Sequence, residues 1–145
     1  MVINGIVEQG KHLGRTLGFP TANVRPDEPC PPLPVNGVYA AAFWVDGDPR
    51  AHICMLNQGV HPTVPEGTPT IEAHLLHYRG DLYGRRVRVE YLRFIRPERQ
   101  FNGLEQLTDQ LSRDRRAILE WFDDALHGAD VPGSDRVRRI KWADS

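Results

Sequence analysis

Short segments rich in β-branched and aromatic residues recur along the chain, at Val2 to Val7, Val38 to Val45, Ala51 to Leu56, Thr70 to Leu76 and Val87 to Ile95. Such side chains fit a pleated, half-buried surface, so each segment reads as a strand. Between them stand the turn signals Asp46-Gly47, Glu66-Gly67 and Arg79-Gly80-Asp81, where Gly supplies backbone angles that other residues avoid. Tight turns make most neighbouring strands antiparallel. In Val87-Arg88-Val89-Glu90-Tyr91 apolar and charged residues alternate, which sends one side of the strand inward and the other toward solvent. The pattern predicts a mainly β fold, a small closed antiparallel β-barrel with Greek-key-like connections.

From Leu104 the period changes. Leu104, Leu107, Leu111, Ile118, Phe122 and Ala125 fall on one helical face, while Asp109, Arg113, Arg116 and Glu120 largely avoid it. One long C-terminal amphipathic α-helix is expected to close the barrel. Asn102 is expected to cap it, with Glu105 reaching back as in a capping box and Gly128 as the stop. The stretch Pro26 to Pro34 (PDEPCPPLP) is too rich in proline for a helix or a central strand and is read as a surface loop. After Gly128 the polar sequence ADVPGSDRVRRIKWADS either frays or lays Ile140 and Trp142 back on the barrel. At 145 residues the chain has the size of one domain. The expected division is a domain over 1–128 and a polar tail over 129–145.

The 18 basic and 19 acidic residues leave a formal net charge of -1, without the electrostatic footprint of a nucleic-acid or membrane-surface binder. Small molecules are the expected partners, with no nucleic acid and no membrane, and the chain is expected to be a monomer. Met1 to Gly5 lacks the pattern of a signal peptide and no later apolar run approaches membrane-spanning length, so a cytoplasmic, soluble protein is expected. Cys30 and Cys54 lie in unlike surroundings without zinc or disulfide spacing and are read as reduced thiols. His12, His52, His61 and His74 do not converge at metal-ligand spacing.

Two segments invite a phosphate-binding reading. Gly5 to Lys11 (GIVEQGK) has the glycine and lysine spacing of a P-loop, but His12 stands where a magnesium-binding Ser or Thr is needed, and only four residues precede Gly5. That match is read as coincidence. Gly14 to Asn23 (GRTLGFPTAN) is more telling. Its glycines let the backbone approach phosphates, Arg15 offers several donors to phosphate oxygens, and Thr21 and Asn23 present hard oxygens suited to magnesium. Taken singly, the same residues also suit an ordinary turn in which Thr21 and Asn23 bond their own backbone.

GRTLGFPTAN resembles the signature of the riboflavin kinase family, and further matches follow in the family's order: GVYAA (Gly37 to Ala41), NQGVHPT (Asn57 to Thr63), IEAHLL (Ile71 to Leu76), DLYG (Asp81 to Gly84) and IRPERQF (Ile95 to Phe101). The resemblance covers nearly the whole chain before Gly128. It implies an ATP:riboflavin 5′-phosphotransferase that makes FMN and ADP, with ATP as co-substrate and Mg2+ as cofactor, Zn2+ or Mn2+ substituting. It also implies roles. Glu72 is the catalytic base, Thr21 and Asn23 hold the metal, Gly10, Arg15 and Thr21 line the phosphates, and Leu75, His77, Tyr83 and Gly84 border the nucleotide. Arg96, Arg99 and Phe101 contact the flavin. His77 departs from the Asp that many members carry.

On the residues alone, Glu72 suits its role because its neighbours Ile71 and Ala73 point to the opposite face of the strand, leaving the carboxylate to accept a hydroxyl proton. An exposed strand glutamate fits the same pattern. Phosphoryl transfer needs mainly alignment and charge neutralisation, which one base, one metal and a phosphate loop can provide. A flavin-binding or flavin-sensing module without turnover is the competing reading. Because Met1 stands directly before the first strand, the chain is expected to lack the adenylyltransferase that many bacterial relatives carry, and to stop at FMN.

Overall fold

Period-two alternation sorts the strand residues into an inner and an outer set. The computed structural model describes residues 1–8, 21–60, 69–78, 80–128 and 130–143. Its strands are β1 (Val2–Glu8), β2 (Ala22–Pro26), β3 (Gly37–Val45), β4 (His52–Gly59), β5 (Thr70–Leu75) and β6 (Arg86–Pro97). They close into a barrel in the order β1-β2-β5-β4-β3-β6, every pair antiparallel. The mainly β barrel with a long helix after it is the architecture expected above. Five of the strands follow the segments read from sequence. The sixth, β2, grows directly out of GRTLGFPTAN.

Ile3, Val7, Val24, Phe43, Leu56, Ile71, Val89 and Tyr91 fill the interior. Burying each large apolar side chain contributes about 1.5–3 kcal/mol. β3 is buried along its whole length because its outer side is covered too. Val38 and Ala40 lie beneath α1 (Leu104–Leu126) with Met55 and Leu76, against Leu111, Ile118 and Phe122. Ala42 and Trp44 pack with Ile140 and Trp142 from the tail.

Two glycines permit close approach of neighbouring strands. A Cβ on Gly5 would stand 2.2 Å from the Arg25 carbonyl oxygen, and one on Gly37 would stand 2.3 Å from that of Arg96. Gly5 is thus an interior residue of a strand, and the P-loop spacing that begins with it is coincidental on structural grounds as well.

The helix start differs from the capping box expected. Gly103, not Asn102, is the N-cap, and Gln106 rather than Glu105 reaches back, its Oε1 accepting the Asn102 backbone N–H at 3.1 Å. Leu104 is 56% exposed, so the apolar face begins at Leu107. At the other end Gly128 has φ 108°, the left-handed conformation that ends helices. Beyond it the tail packs. A short helix α2 (Ser134–Arg139) is followed by Trp142, whose ring meets Phe122 edge-on at 5.3 Å. The Lys141 carbonyl accepts the Ala51 N–H at 2.9 Å, and the Ala51 carbonyl accepts that of Ala143 at 2.9 Å.

Of the proline-rich stretch expected as a loop, Pro26 is the last residue of β2 and pairs with Gly5, while the residues from Asp27 to Pro34 form neither helix nor strand. Gln58, fully buried, fastens its end: Nε2 donates to the Pro34 carbonyl at 2.7 Å and to Asn36 Oδ1 at 3.1 Å, and Oε1 accepts from Tyr91 Oη at 2.7 Å. The Tyr39 hydroxyl donates to the Val35 carbonyl.

Candidate active site

Register brings the central candidates together. On β5, Ile71 and Ala73 are buried in the interior while Glu72 is half-buried and faces outward. Asn23 on β2 stands directly opposite Glu72 from one side, and Thr21 immediately precedes β2. Opposed residues of antiparallel strands share a face with Cβ atoms about 4.5–5.5 Å apart. A carboxylate and an amide oxygen, with a hydroxyl two residues away, thus share one patch of the outer wall.

The remaining candidates divide between the two ends of the barrel. At the end where β1 and β5 finish and β6 begins are Leu75, His77, Tyr83 and Gly84. Leu75 is buried against the interior and His77 is exposed in the turn that follows β5. Gly84 has φ 78° and donates its N–H to the Val7 carbonyl at 2.9 Å, joining this turn to the end of β1. Tyr83 is 58% exposed, its backbone N–H bound to Asp81 Oδ1 at 2.9 Å. Nearby, His52 packs edge-on against Tyr78 at 5.0 Å, and burial lowers its pKa.

Arg96, Arg99 and Phe101 lie at the opposite end, where β6 leaves the barrel for α1. The Phe101 ring has the Arg99 guanidinium 5.4 Å and the Arg96 guanidinium 5.8 Å from its centre. Arg96 is also a structural residue. Its Nε and Nη2 donate to Asp114 Oδ1 and Oδ2 at 2.9 and 2.8 Å, and its Nη1 to the Pro97 carbonyl at 3.1 Å. Gln110 adds a bond to Asp114 Oδ1 at 2.9 Å and accepts one from Arg99 Nη1 at 2.9 Å. Asp114 and Gln110 were not singled out in the sequence. The available signal was position, since Asp114 lies among Leu111, Ile118, Phe122 and Ala125 on the buried helix face.

Gly10 and Arg15 lie outside the described residues. For a cation, the donor set fits magnesium: neutral hard oxygens from Thr21 and Asn23, next to a carboxylate, leave most positions to water and phosphate. Among the described residues no three His, Cys, Asp or Glu cluster as a self-sufficient metal cage, and no helix is long and apolar enough to cross a membrane.

The sequence profile of the Flavokinase family, described as riboflavin kinase, matches residues 1–122. A bifunctional riboflavin kinase/FMN adenylyltransferase from Bacillus subtilis is 38% identical over 123 residues, covering 83% of this chain and 38% of the relative. A second protein of that organism, the RNA-binding riboflavin kinase RibR, is 40% identical over 123 residues, covering 84% of this chain and 51% of the relative. The chain therefore spans between about a third and a half of these relatives' lengths. The crystal structure of riboflavin kinase from Trypanosoma brucei superposes with a TM-score of 0.61 at 27% identity, covering 84% of this chain and 79% of that one. With the family profile spanning most of the chain and the same barrel found in a solved kinase, this protein belongs to the riboflavin kinase family.

Proposed function

We propose that the chain transfers the γ-phosphate of ATP to the 5′-hydroxyl of riboflavin, giving FMN and ADP, in a magnesium-dependent reaction. The observation that carries the reading is the placement of Glu72. It stands beside Asn23 on the outer wall, between a nucleotide-side group (Leu75, His77, Tyr83, Gly84) and a flavin-side group (Arg96, Arg99, Phe101) at opposite ends of the barrel.

In this reading Glu72 accepts the proton of the 5′-hydroxyl as that oxygen attacks phosphorus. Thr21 and Asn23 hold the metal, which when bound neutralises charge on the phosphates. Gly10 and Arg15 approach the phosphate chain. The exposed Tyr83 walls the nucleotide pocket, and the flat Phe101 ring with its cationic neighbours faces the isoalloxazine. Zn2+ or Mn2+ can substitute at the same oxygens. A cytoplasmic monomer acting on small molecules is part of the proposal, and so is the absence of nucleic acid among its partners, which the near-neutral charge supports. The FMN adenylyltransferase and RNA-binding activities in the relatives' names belong to those proteins.

The test is FMN formation from riboflavin, ATP and magnesium, separated by chromatography, with E72Q and a metal-free control alongside. FMN from wild type and a rate about 10²–10⁴-fold lower in E72Q are expected. Riboflavin binding with no FMN under any nucleotide refutes the kinase reading in favour of a binding module.

A further inference from the structure

The outer row that contains Glu72 does not end there. Asn57 on β4 stands directly opposite Glu72, as Asn23 on β2 does from the other side. Its strand neighbours Leu56 and Gln58 are fully buried in the interior, so alternation sends Asn57 outward. Asn23, Glu72 and Asn57 are each half-buried, with the carboxylate in the middle. The row continues through Val38 on β3 to Arg96 on β6, beside Phe101.

Phosphoryl transfer sets attacking and leaving oxygens on opposite sides of phosphorus, roughly in line. With the phosphate donor on the Asn23 side of Glu72, the attacking hydroxyl arrives from the Asn57 side, which is also the side toward the flavin-side group. Asparagine is disfavoured in strands, and this position, half-buried beside the apolar Val38, would suit Val or Thr better if packing alone decided it. The amide has two donors and an acceptor without charge, which matches a polyhydroxyl chain and adds no repulsion toward an arriving phosphoryl group.

Resting on the kinase reading above, we infer that Asn57 is a substrate-binding residue for the acceptor. Its amide hydrogen-bonds the ribityl chain of riboflavin and so aligns the 5′-hydroxyl with Glu72.

Lumiflavin, which has the flavin ring system but no ribityl chain, separates this role from a structural one. Affinities of wild type, N57A and N57V for riboflavin and lumiflavin are measured by quenching of flavin fluorescence. N57V, well suited to a strand, keeps the test valid should N57A fold poorly. Loss of one hydrogen bond is expected to weaken riboflavin about three- to tenfold, with lumiflavin unchanged within about twofold. Equal weakening of both ligands, or no change in either, overturns the inference. FMN formation by wild type reads the kinase assignment separately. An active wild type whose variants fail to discriminate the two flavins sinks the role of Asn57 alone, whereas an inactive wild type sinks both.

Discussion

Replacing Asp114 with alanine removes the acceptor for three hydrogen bonds at once, two from Arg96 and one from Gln110. The carboxylate side chain is 2% exposed and that of Arg96 16%, so the guanidinium left behind regains little water. Removing one partner of a buried ion pair costs about 3–5 kcal/mol. Because Arg96 keeps the Pro97 carbonyl as an acceptor, the low end of that range applies, about 3 kcal/mol. With an unfolding entropy of about 2.1 cal/mol/K per residue over 145 residues, D114A should melt roughly 10 °C below wild type. Urea titration followed by tryptophan fluorescence reports the loss directly, since Trp121 and Trp142 both pack on the α1 layer. A buried pair is poorly screened, so the loss should persist between low and high salt. D114N, which keeps one carbonyl acceptor, should fall between the two proteins. A cost below about 1 kcal/mol, or one that disappears in high salt, would mean that the pair behaves as an exposed surface contact, and the argument from burial would be wrong.

Other expectations follow from the same geometry. G37A sets a methyl group against the Arg96 carbonyl and the Phe94 ring, and should cost about 1–3 kcal/mol by overpacking while weakening riboflavin binding more than ATP binding. Q58L strands the Tyr91 hydroxyl and releases Pro34 and Asn36; a loss of about 1–3 kcal/mol in chemical denaturation is expected, with faster proteolysis of the 27–36 loop. Arg136 bonds both oxygens of Glu90 at 2.7 Å and holds its carboxyl below the ordinary value of 4.5. A depressed folded-state pKa gives stability that is present above that value and lost as pH falls through the folded one, so denaturation curves from pH 7 to 3 should flatten at the acid end in E90Q. W142A, which opens the contact with Phe122, should lower stability by about 3 kcal/mol yet leave kcat for FMN formation within about twofold; a selective loss of kcat would tie the tail to the reaction.

Much of this arrangement was readable from residue order. Strands β1 and β3 to β6 announce themselves because β-branched and aromatic residues are dense there, and the inward Ile71 and Ala73 already imply an outward Glu72. β2 is harder to see: five residues, ANVRP, open with Ala-Asn and end in proline, so local propensity argues against a strand that pairing with β1 and β5 nonetheless imposes. The Arg96–Asp114 pair was invisible for a related reason. Each charge alone reads as solvent-facing, and only the docking of α1 over β3 makes them a buried unit. The capping box failed by one position because Gly103, lacking a side chain, takes the N-cap place and shifts the reach-back to Gln106.

The proposed chemical residues Asn23, Glu72 and Asn57 alternate along their strands with the core residues Ala22, Val24, Leu56, Ile71 and Ala73. A shift of any of these strands by one residue would exchange the two sets, burying the carboxylate and exposing the core. A chain misaligned in this way therefore loses its core and its proposed site together. The same interleaving narrows the paths open to divergence, because an insertion within β4 or β5 cannot adjust the reaction without also dismantling the barrel, and variation in substrate preference is left to single substitutions on the outer wall and to the loops at its two ends.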